Sequence, residues 1–542
     1  MKKIVKLLSV FIILATYSCS DFLEEDNRTF NEADQYYRTA DGFESLVNAN
    51  FSQLREIYGN DPWLFEAGTD LYARGRNVEP LGLSEYKELN STSPGVEMLY
   101  NACYNAILKA NTGLYYSTLT QQTSTIPARK GELKFLRANA YFLLVQTYGG
   151  VGLVTDYSPN AVLQFDRSSA ETIYTFVVKE LEESLALISA NASSSRINRR
   201  AVQHLLAKVH LTRAYETFAA PTDFATAASY ADAAIAGNGL TLSYSALWTP
   251  GFEANSEVLF SVQYDANSVT ADPQTLGNKQ ANYFSSYLGG PGLGAPFKTY
   301  TLCPTAFAIG LFEQNDTRWS ATFMTEVYTR YNDFYESANL TAANVRHFYE
   351  PKWFTLADRA AYKATHPGVL SPSTNYHNYG TYMAAGGLSR DYQTIPVKKF
   401  DDPKAPYASG NNSRVSRRDF IVSRLAETYL IAAEAYLNTN PTTGLARLNV
   451  VRARAGVANA TLAQFNIDFI LDERARELLG EYHRWFDLKR TGKLVQRASL
   501  HHYLIQPSNF NGTGGNLKIL RPIPQEALDL NRNKNYPQNP AY

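Results

Sequence analysis

Apolar residues recur at helical spacing along most of the chain. The repeat is clearest in five segments, which are predicted to be helices: residues 97–116, 132–148, 170–189, 199–218 and 224–236. Between about residues 240 and 415 the repeat weakens, Gly, Pro, Asn and Tyr become frequent, and only short strand signals such as 257–264 remain. The pattern predicts a mainly α-helical protein with a loop-rich insertion that contains short strands.

Two segments have the length and the small residues of paired helices. The first runs through residues 201–236 with a loop at Pro221, and the second runs through 420–449 with a turn at Pro441. Each spans roughly 30 to 35 residues, close to the 34 residues of a tetratricopeptide repeat (TPR). Two divergent units do not make a regular array, so we expect TPR-like helix pairs embedded in a larger fold.

The first 18 residues have the layout of a signal peptide. Lysines at positions 2, 3 and 6 surround the start of an apolar run at residues 4–15, which is too short to span a bilayer. Small or neutral residues then lead to Cys19, and this arrangement is similar to a bacterial lipoprotein processing site. We expect Cys19 to be acylated, and a plain secretory signal with an incidental cysteine is the alternative.

An acidic stretch at residues 21–26 follows the cysteine directly. It resembles the surface-export signal of some Gram-negative bacteria, which would place a lipid-anchored body outside the outer membrane. Several acyl chains are needed for stable anchoring, because one chain binds membranes only marginally. We therefore expect a globular domain tethered to the outer membrane and exposed at the cell surface.

Composition narrows the choice of partners. Removing the three leader lysines from the 51 basic residues leaves 48 against 51 acidic residues, and no basic patch is visible, which argues against nucleic acid. Charged residues make up 19% of the chain, below the typical value of about 25%, while Tyr (37) and Phe (28) are abundant. A surface that is neutral and aromatic suits a neutral ligand such as a glycan.

Three glutamates at helical spacing are the main candidates for catalysis. Glu473, Glu477 and Glu481 lie at i, i+4 and i+8, beside the arginines at positions 474, 476 and 484. A glycosidase needs two carboxyl groups flanking a cleft. The basic neighbours favour the simpler interpretation, in which ion pairs hold the helix in place.

Other residue types give no catalytic or metal signature. The histidines, including His347, His377 and the pair His501–His502, lack metal-binding spacing, and residues 289–294 lack the Lys-Ser/Thr of a phosphate-binding loop. No cofactor and no metal are therefore expected. Cys103 and Cys303 could pair or could be two inert buried thiols, and the second alternative is favoured.

Glycan binding needs flat apolar faces surrounded by hydrogen-bonding side chains. Two clusters have this composition, one before the first strong helix and one in the insertion. The candidate ligand contacts are Trp63, Asp70, Tyr72, Arg74 and Arg76 in the first cluster and Tyr283, Tyr287, Trp319, Tyr328 and Tyr331 in the second.

An ordered set of strings in the second half resembles the SusD/RagB family. These strings occupy residues 424–435, 448–456, 470–478 and 481–490, then Pro522-Ile523-Pro524 and residues 535–542. The first half agrees, because residues 104–111 and 137–151 are similar to the first domain of that family. The resemblance covers nearly the whole chain after the leader.

The resemblance implies a non-enzymatic SusD-like lipoprotein of the outer membrane. It would capture an oligosaccharide and deliver it to a SusC-like TonB-dependent transporter, with TPR-like helices packed against the transporter. Capture of peptides, a surface glycoside hydrolase, and an adaptor without a ligand remain as alternatives. The expected divisions are a signal peptide (1–18), an N-terminal helical domain (19–239), a ligand-binding insertion (240–415) and a C-terminal helical region (416–542).

Overall fold

The computed structural model describes most of the chain after the leader. The described residues are 33–75, 80–188, 196–267, 276–290, 294–296, 298–299, 301–336, 338, 340–383, 391–403 and 415–542. The predicted signal peptide, the lipidation site Cys19 and the candidate contact Arg76 lie outside them. None of the described helices is long and apolar enough to cross a bilayer.

Helices dominate the first part of the chain. Their bounds are α1 Ala33–Tyr37, α2 Ala40–Tyr58, α3 Trp63–Glu66, α4 Leu81–Glu85, α5 Met98–Tyr116, α6 Ile126–Tyr148, α7 Ala170–Leu187, α8 Arg199–Arg213 and α9 Asp223–Ile235, with the short strand β1 (Tyr72–Ala73) between α3 and α4. Side-chain caps fix three of the starts, since Thr39 accepts a hydrogen bond from the Gly42 amide, Ser169 from the Thr172 amide and Asn198 from the Ala201 amide.

The central part contains short elements joined by loops. Its helices are α10 Tyr244–Leu247, α11 Gln280–Tyr283, α12 Ala306–Gly310, α13 Thr317–Thr322 and α14 Leu356–Thr365, and its strands are β2 Val258–Val262, β3 Cys303–Pro304, β4 Glu326–Tyr328, β5 Val345–Tyr349 and β6 Tyr376–His377. This matches the predicted insertion with short strands.

The last part returns to helices. After strand β7 (Phe420–Arg424) come α15 Leu425–Ala435, α16 Pro441–Arg454, α17 Ile467–Glu477, α18 Arg484–Arg490, α19 Leu494–His501 and α20 Gln525–Leu530. In the described residues the fold is mainly helical with a few short strands, which confirms the predicted fold class. The predicted domain boundaries stay a prediction.

The strands form small sheets that connect distant parts of the chain. Strand β1 pairs antiparallel with β3, and β2 pairs antiparallel with β7, with Val258 opposite Arg424. In the three-stranded sheet, β5 lies between β4, which is antiparallel to it, and β6, which is parallel. Pairing therefore holds two parts of the insertion, β2 and β3, against segments that precede and follow it in the chain.

The two predicted helix pairs exist and pack against each other, except that residues 420–424 at the start of the second form strand β7. One is α8–α9 and the other is α15–α16, and their facing surfaces share one hydrophobic cluster. Small residues such as Ala228 in α9 and Ala432 in α15 lie in this cluster, buried. Because their side chains are small, the helix axes can approach closely, as the sequence pattern predicted.

Tyrosines are buried more often than the composition indicated. Many of them lie in the core with the hydroxyl hydrogen-bonded to a backbone carbonyl. Tyr148 donates to the Val96 carbonyl (2.6 Å), Tyr244 to the Glu477 carbonyl (2.9 Å) and Tyr382 to the Glu350 carbonyl (2.7 Å). An irregular fold leaves carbonyls without helix or sheet partners, and a buried tyrosine satisfies them while filling the core.

Candidate ligand-binding site

The β1–β3 pair brings the two predicted contact clusters together. In this pair Tyr72 lies opposite Pro304, and the Tyr72 ring contacts the Phe284 ring with centroids 4.9 Å apart. Next to them the rings of Trp63 and Tyr283 meet edge to face at 5.4 Å. Residues of the first segment and of the insertion thus form one packed layer.

Most of the predicted contacts lie within this layer or beneath the insertion surface. Seven of the ten keep less than a tenth of their side-chain exposure: Trp63, Asp70, Tyr72, Tyr283, Trp319, Tyr328 and Tyr331. Arg74 and Tyr287 are half-buried at the surface. The assignment of these residues to ligand contact stays a prediction, and among the nine candidates that the structure describes, Tyr287 and Arg74 are the two that are not buried.

Asp70 is engaged in ion pairs. Its carboxylate accepts two hydrogen bonds from Arg484, at 2.7 and 2.6 Å, and a third from Arg497 at 3.2 Å. Burial raises the pKa of Asp70, but the two guanidinium groups outweigh it, so that the pKa lies below its usual value. This carboxylate ties the segment before β1 to α18 and α19.

Arg74 lies at the end of β1 with a carboxylate partner. Its Nε donates to Glu85 Oε1 at 2.9 Å, and Lys87 Nζ lies 3.1 Å from the other oxygen of the same carboxylate. The Arg74 carbonyl accepts a hydrogen bond from the Tyr503 hydroxyl at 2.8 Å. The guanidinium is therefore held in a defined place at the surface.

Tyr287 is hydrogen-bonded to a distant tyrosine and lies beside Gly290. We call the segment with Gly289, Gly290 and Gly294 the glycine loop. The Tyr392 amide donates to the Tyr287 carbonyl at 3.0 Å, and the Tyr392 hydroxyl donates to the Leu288 carbonyl at 2.5 Å. Gly290 has a positive φ of 75°, and a Cβ there would lie 2.6 Å from the Tyr287 hydroxyl oxygen. Only glycine permits this approach of the loop to the ring.

A stack of four rings runs inward from Tyr392. Its ring lies parallel to that of His347 (4.2 Å between centroids), His347 lies parallel to His377 (5.5 Å), and His377 lies parallel to Tyr349 (4.4 Å). Burial lowers the pKa of His347 to about 4, and burial together with the neighbouring His347 lowers that of His377 to about 3. Both imidazoles are neutral at neutral pH, which suits their hydrogen bond of 3.2 Å.

Asp401 holds the next surface segment. Its carboxylate accepts hydrogen bonds from Tyr331 (2.5 Å) and Tyr335 (2.8 Å), and Lys298 Nζ donates to it at 2.8 Å. Lys298 and Tyr331 are buried, whereas Tyr335 is half-buried. The buried charges therefore anchor a tyrosine at the surface.

The glycine loop also contacts this segment. The Asn332 amide donates to the Gly294 carbonyl at 2.8 Å, and a Cβ at Gly294 would lie 2.6 Å from Nε of the exposed Arg330. We call the four surface residues Tyr287, Arg330, Tyr335 and Tyr392 the insertion face. It combines apolar ring surface with hydrogen-bond donors, which is the chemistry that a sugar needs.

Trp319 and Tyr328 belong to the packing of the insertion. Trp319 contacts the rings of Phe323 and Trp353, and its Nε1 donates to Thr325 Oγ1 at 3.1 Å. The Tyr328 hydroxyl donates to Glu326 Oε2 at 3.2 Å. These contacts stabilise the sheet around β4.

The three spaced glutamates are buried and paired with cations, as the ion-pair interpretation predicted. Glu473 accepts from Arg318 (2.7 Å), Arg452 (2.6 Å) and Arg476 (2.9 Å). Glu477 and Glu481 share Arg424, each at 2.7 Å. Burial opposes ionisation, yet the surrounding arginines lower the pKa of Glu477 to about 2. A carboxylate so firmly ionised and enclosed is not a general acid.

Only one of the three arginines next to these glutamates in sequence pairs with them. Arg476 does pair with Glu473, but Arg474 pairs with Asp487 (2.6 Å) and Arg484 with Asp70. The main partners, Arg318 and Arg424, come from distant segments. Sequence spacing identified the kind of interaction but not these partners.

Neither the cysteines nor the histidines form a metal centre in the described part of the chain. There, no group of three or more His, Cys, Asp or Glu side chains is arranged to hold an ion. Cys103 and Cys303 are both buried, and the Cys303 thiol donates to the Ser285 carbonyl at 3.8 Å. Burial raises the pKa of the Cys103 thiol, which makes it unreactive.

Known proteins resemble this chain along nearly its whole length. Residues 256–542 match the family model described as "SusD family", and residues 21–211 match one described as "Starch-binding associating with outer membrane". SusD-like protein P25 of Formosa agariphila is 24% identical over 553 residues, which cover 96% of each chain.

Solved structures share the fold. A laminarin-binding SusD-like protein superposes with a TM-score of 0.69 at 21% identity, covering 93% of this chain and 100% of the other. Surface glycan-binding protein A from Bacteroides thetaiotaomicron, in complex with laminarihexaose, gives 0.67 at 18% identity and covers 91% and 97%. The first family model alone matches just over half of the chain. The chain therefore belongs to the SusD family and is a non-catalytic binding protein.

Proposed function

We propose that this protein captures an oligosaccharide at the outer membrane and delivers it to a SusC-like TonB-dependent transporter. The observation that carries the proposal is the match to SusD-like proteins over nearly the full length of both chains, among them one whose structure holds laminarihexaose. The neutral composition and the insertion face fit the same ligand class.

The insertion face is the proposed place of capture. Tyr287 and Tyr392 supply ring surface, Arg330 supplies donors, and Gly290 leaves room beside the Tyr287 hydroxyl that a side chain would take. Arg74 is the proposed contact from the first segment. The buried residues of the ten sequence candidates, such as Trp63 and Tyr283, form the layer that fixes these contacts in position.

The membrane anchor and the transporter complete the proposal. Cys19 would carry the lipid, and the acidic residues after it would direct the body to the cell surface. The packed TPR-like pairs α8–α9 and α15–α16 form a rigid body suited to contact with the transporter.

Calorimetry tests glycan capture directly. The body from Asp21 onward is titrated with a panel of polysaccharides, laminarin and starch included, and with peptide mixtures, and the same samples are assayed for released sugars. We expect binding to one glycan class without cleavage. Binding to peptides alone, or to nothing in the panel, contradicts the proposal.

One pair of variants locates the site. We expect Tyr287→Ala to weaken glycan binding about tenfold, which corresponds to about 1.4 kcal/mol. The control is Phe252→Ala, which removes a ring that is exposed outside the insertion face, and its affinity should equal that of the wild type. Equal losses of glycan affinity in both variants would place the binding site outside the insertion face.

A further inference from the structure

A second groove lies away from the insertion face, where α5, the loop 152–165 and α20 meet. Its volume is about 620 Å³, within the range of ligand cavities in proteins. The lining residues are Tyr100, Asn101, Tyr104, Asn105, Gly152, Val162, Leu163, Phe165, Glu526, Ala527, Leu530, Asn531 and Tyr536. None of them belongs to the insertion face, so the groove is a separate feature.

Large apolar side chains form the rim of this groove. Leu530 is 70% exposed, and Val162 and Leu163 in the neighbouring loop are exposed as well. Single exposed leucines are ordinary, but several around one groove mark a surface that another molecule covers.

An exposed stripe of mixed polar and apolar residues continues along α5 beyond the groove. Exposed or half-exposed positions 101, 105, 108, 112 and 115 follow one helical stripe, in which Leu108 is 56% exposed and Tyr115 stacks on Tyr157 at 4.5 Å. Lys109 is the one charged residue of α5, and it is engaged with Gln53. The stripe is about 21 Å long, which an extended chain of about six residues would span. A surface of this length fits a protein segment.

Three exposed side chains of the groove, Asn101, Asn105 and Glu526, make no side-chain hydrogen bond or ion pair within the described part of the chain, so their polar groups face the solvent. The two asparagines are one helical step of four residues apart, which corresponds to a rise of about 6 Å. In an extended chain, alternate peptide groups recur every 6.6 Å or so. A side-chain amide offers one donor group and one acceptor, so each asparagine matches one backbone peptide group.

We propose that this groove and the outer stripe of α5 dock an extended, apolar segment of a partner protein. The asparagines bind the backbone of that segment, and alternate side chains pack against Leu530, Val162 and Leu163. Glu526 is the one charged residue lining the groove, so the segment carries a basic residue opposite it. The aliphatic rim and the charge of Glu526 favour a peptide segment over an oligosaccharide or a second copy of this chain, and the test below distinguishes these occupants.

Peptide display tests the proposal. The body from Asp21 onward is panned with a random twelve-residue peptide library, and the enriched peptides are synthesised and titrated. We expect sequences in which apolar residues alternate and a Lys or Arg is present. Asn101→Ala/Asn105→Ala and Leu530→Glu should each weaken their binding at least tenfold, and Glu526→Gln should reduce the dependence on salt.

Leu500→Glu is the matched control, because this leucine is similarly exposed but lies outside the groove. It should leave peptide binding unchanged, and all variants should melt like the wild type. Glycan titration of the same variants should give wild-type affinity, which separates this proposal from the glycan proposal. Three results would overturn it: no enrichment over the Leu530→Glu variant, displacement of the peptides by a glycan, or dissociation of a dimer by Leu530→Glu in sedimentation.

Discussion

The helical core around α17 and the insertion are held in place by different interactions. In the core, charged side chains such as Arg318, Arg424 and Glu477 are fully buried and neutralise one another. In the insertion, short strands and loops are held by tyrosines, stacked rings and glycines at positive φ. The first region is fixed by mutual charge compensation, and the second by many local hydrogen bonds and ring contacts.

This difference separates the scaffold from the surface that binds. A buried charge network has one arrangement in which every charge is matched, so it holds helices and strands in fixed positions. A loop region with half-buried rings can present different surfaces on the same support. Four of the strings that resemble the family, at residues 424–435, 448–456, 470–478 and 481–490, contribute to the network, whereas the insertion face lies in the loop-rich region.

The largest expected effect comes from breaking the network. Arg424→Met leaves Glu257, Glu477 and Glu481 short of their shared cation, and we expect a loss of about 3–5 kcal/mol in the free energy of unfolding. Urea denaturation measures it. The matched change Arg330→Met on the insertion face should cost at most about 1 kcal/mol, because that guanidinium is exposed. Similar losses for the two arginines would remove the distinction between the regions.

Acid should weaken the insertion through its stacked histidines. As the pH falls below 6.5, an unfolded His377 takes up a proton, whereas the folded residue stays neutral down to about 3. The unfolded state therefore binds more protons, and stability falls with falling pH. In His377→Phe the free energy of unfolding should fall less steeply between pH 6.5 and 4.5. The difference in slope is up to about 1.4 kcal/mol per pH unit, which corresponds to one proton.

Comparison with the wild type isolates His377, because the other groups with shifted pKa values, such as Asp419 at about 6, titrate in both proteins. Unfolding at pH 8 gives the cost of changing the ring alone, since His377 is neutral in both states there. An unchanged slope would mean that His377 is protonated in the folded protein.

A buried tyrosine hydroxyl should matter more than an equivalent one at the surface. Tyr331→Phe removes a hydrogen bond to the Asp401 carboxylate inside the protein, and we expect a loss of about 1.5–3 kcal/mol. Tyr335→Phe removes a bond to the same oxygen from a half-buried ring and should cost less. Chemical denaturation of both variants compares them. A larger loss for Tyr335→Phe than for Tyr331→Phe would mean that the half-buried tyrosine contributes more to stability than the buried one.

The smallest expected effect concerns the glycine loop. Gly290→Ala and Gly380→Ala both place a side chain at positive φ, which costs each about 1 kcal/mol of stability. Only the Cβ at position 290 meets a neighbour, the Tyr287 hydroxyl, whereas nothing lies within 4 Å at position 380. Titration should show a severalfold loss of glycan affinity in Gly290→Ala alone. Equal affinities would exclude this loop from the site.

Helical periodicity predicted the scaffold well, and its errors have local causes. Helices α5, α7 and α9 begin and end within two residues of the predicted segments. Helix α6 starts at Ile126, six residues before the predicted start, because Pro127 in its first turn and the polar residues after it carry no apolar repeat. Helix α8 ends at Arg213, five residues early, where turns lead into the loop at Pro221.

The surface was less accessible to sequence reasoning. His347, His377 and Tyr392 stack only because β5 and β6 pair in parallel and a later loop covers them, and no sequence spacing encodes this. Aromatic composition selected Trp63 and Tyr331 as contacts, but composition does not tell a packed ring from an exposed one. The sequence predicted a loop at Gly290 and Gly294, but it did not predict that they lie against Tyr287 and Arg330.

The pairing of β2 with β7 has a consequence for how the chain acquires its structure. The α8–α9 hairpin joins neighbours in sequence and can form as soon as its own residues are available. Strand β2, by contrast, has to wait for β7, and the Tyr148 carbonyl has to wait for Asn539, whose side chain donates to it at 3.0 Å. Closing such long loops is slow, so we expect the α8–α9 hairpin to form before β2 pairs with β7.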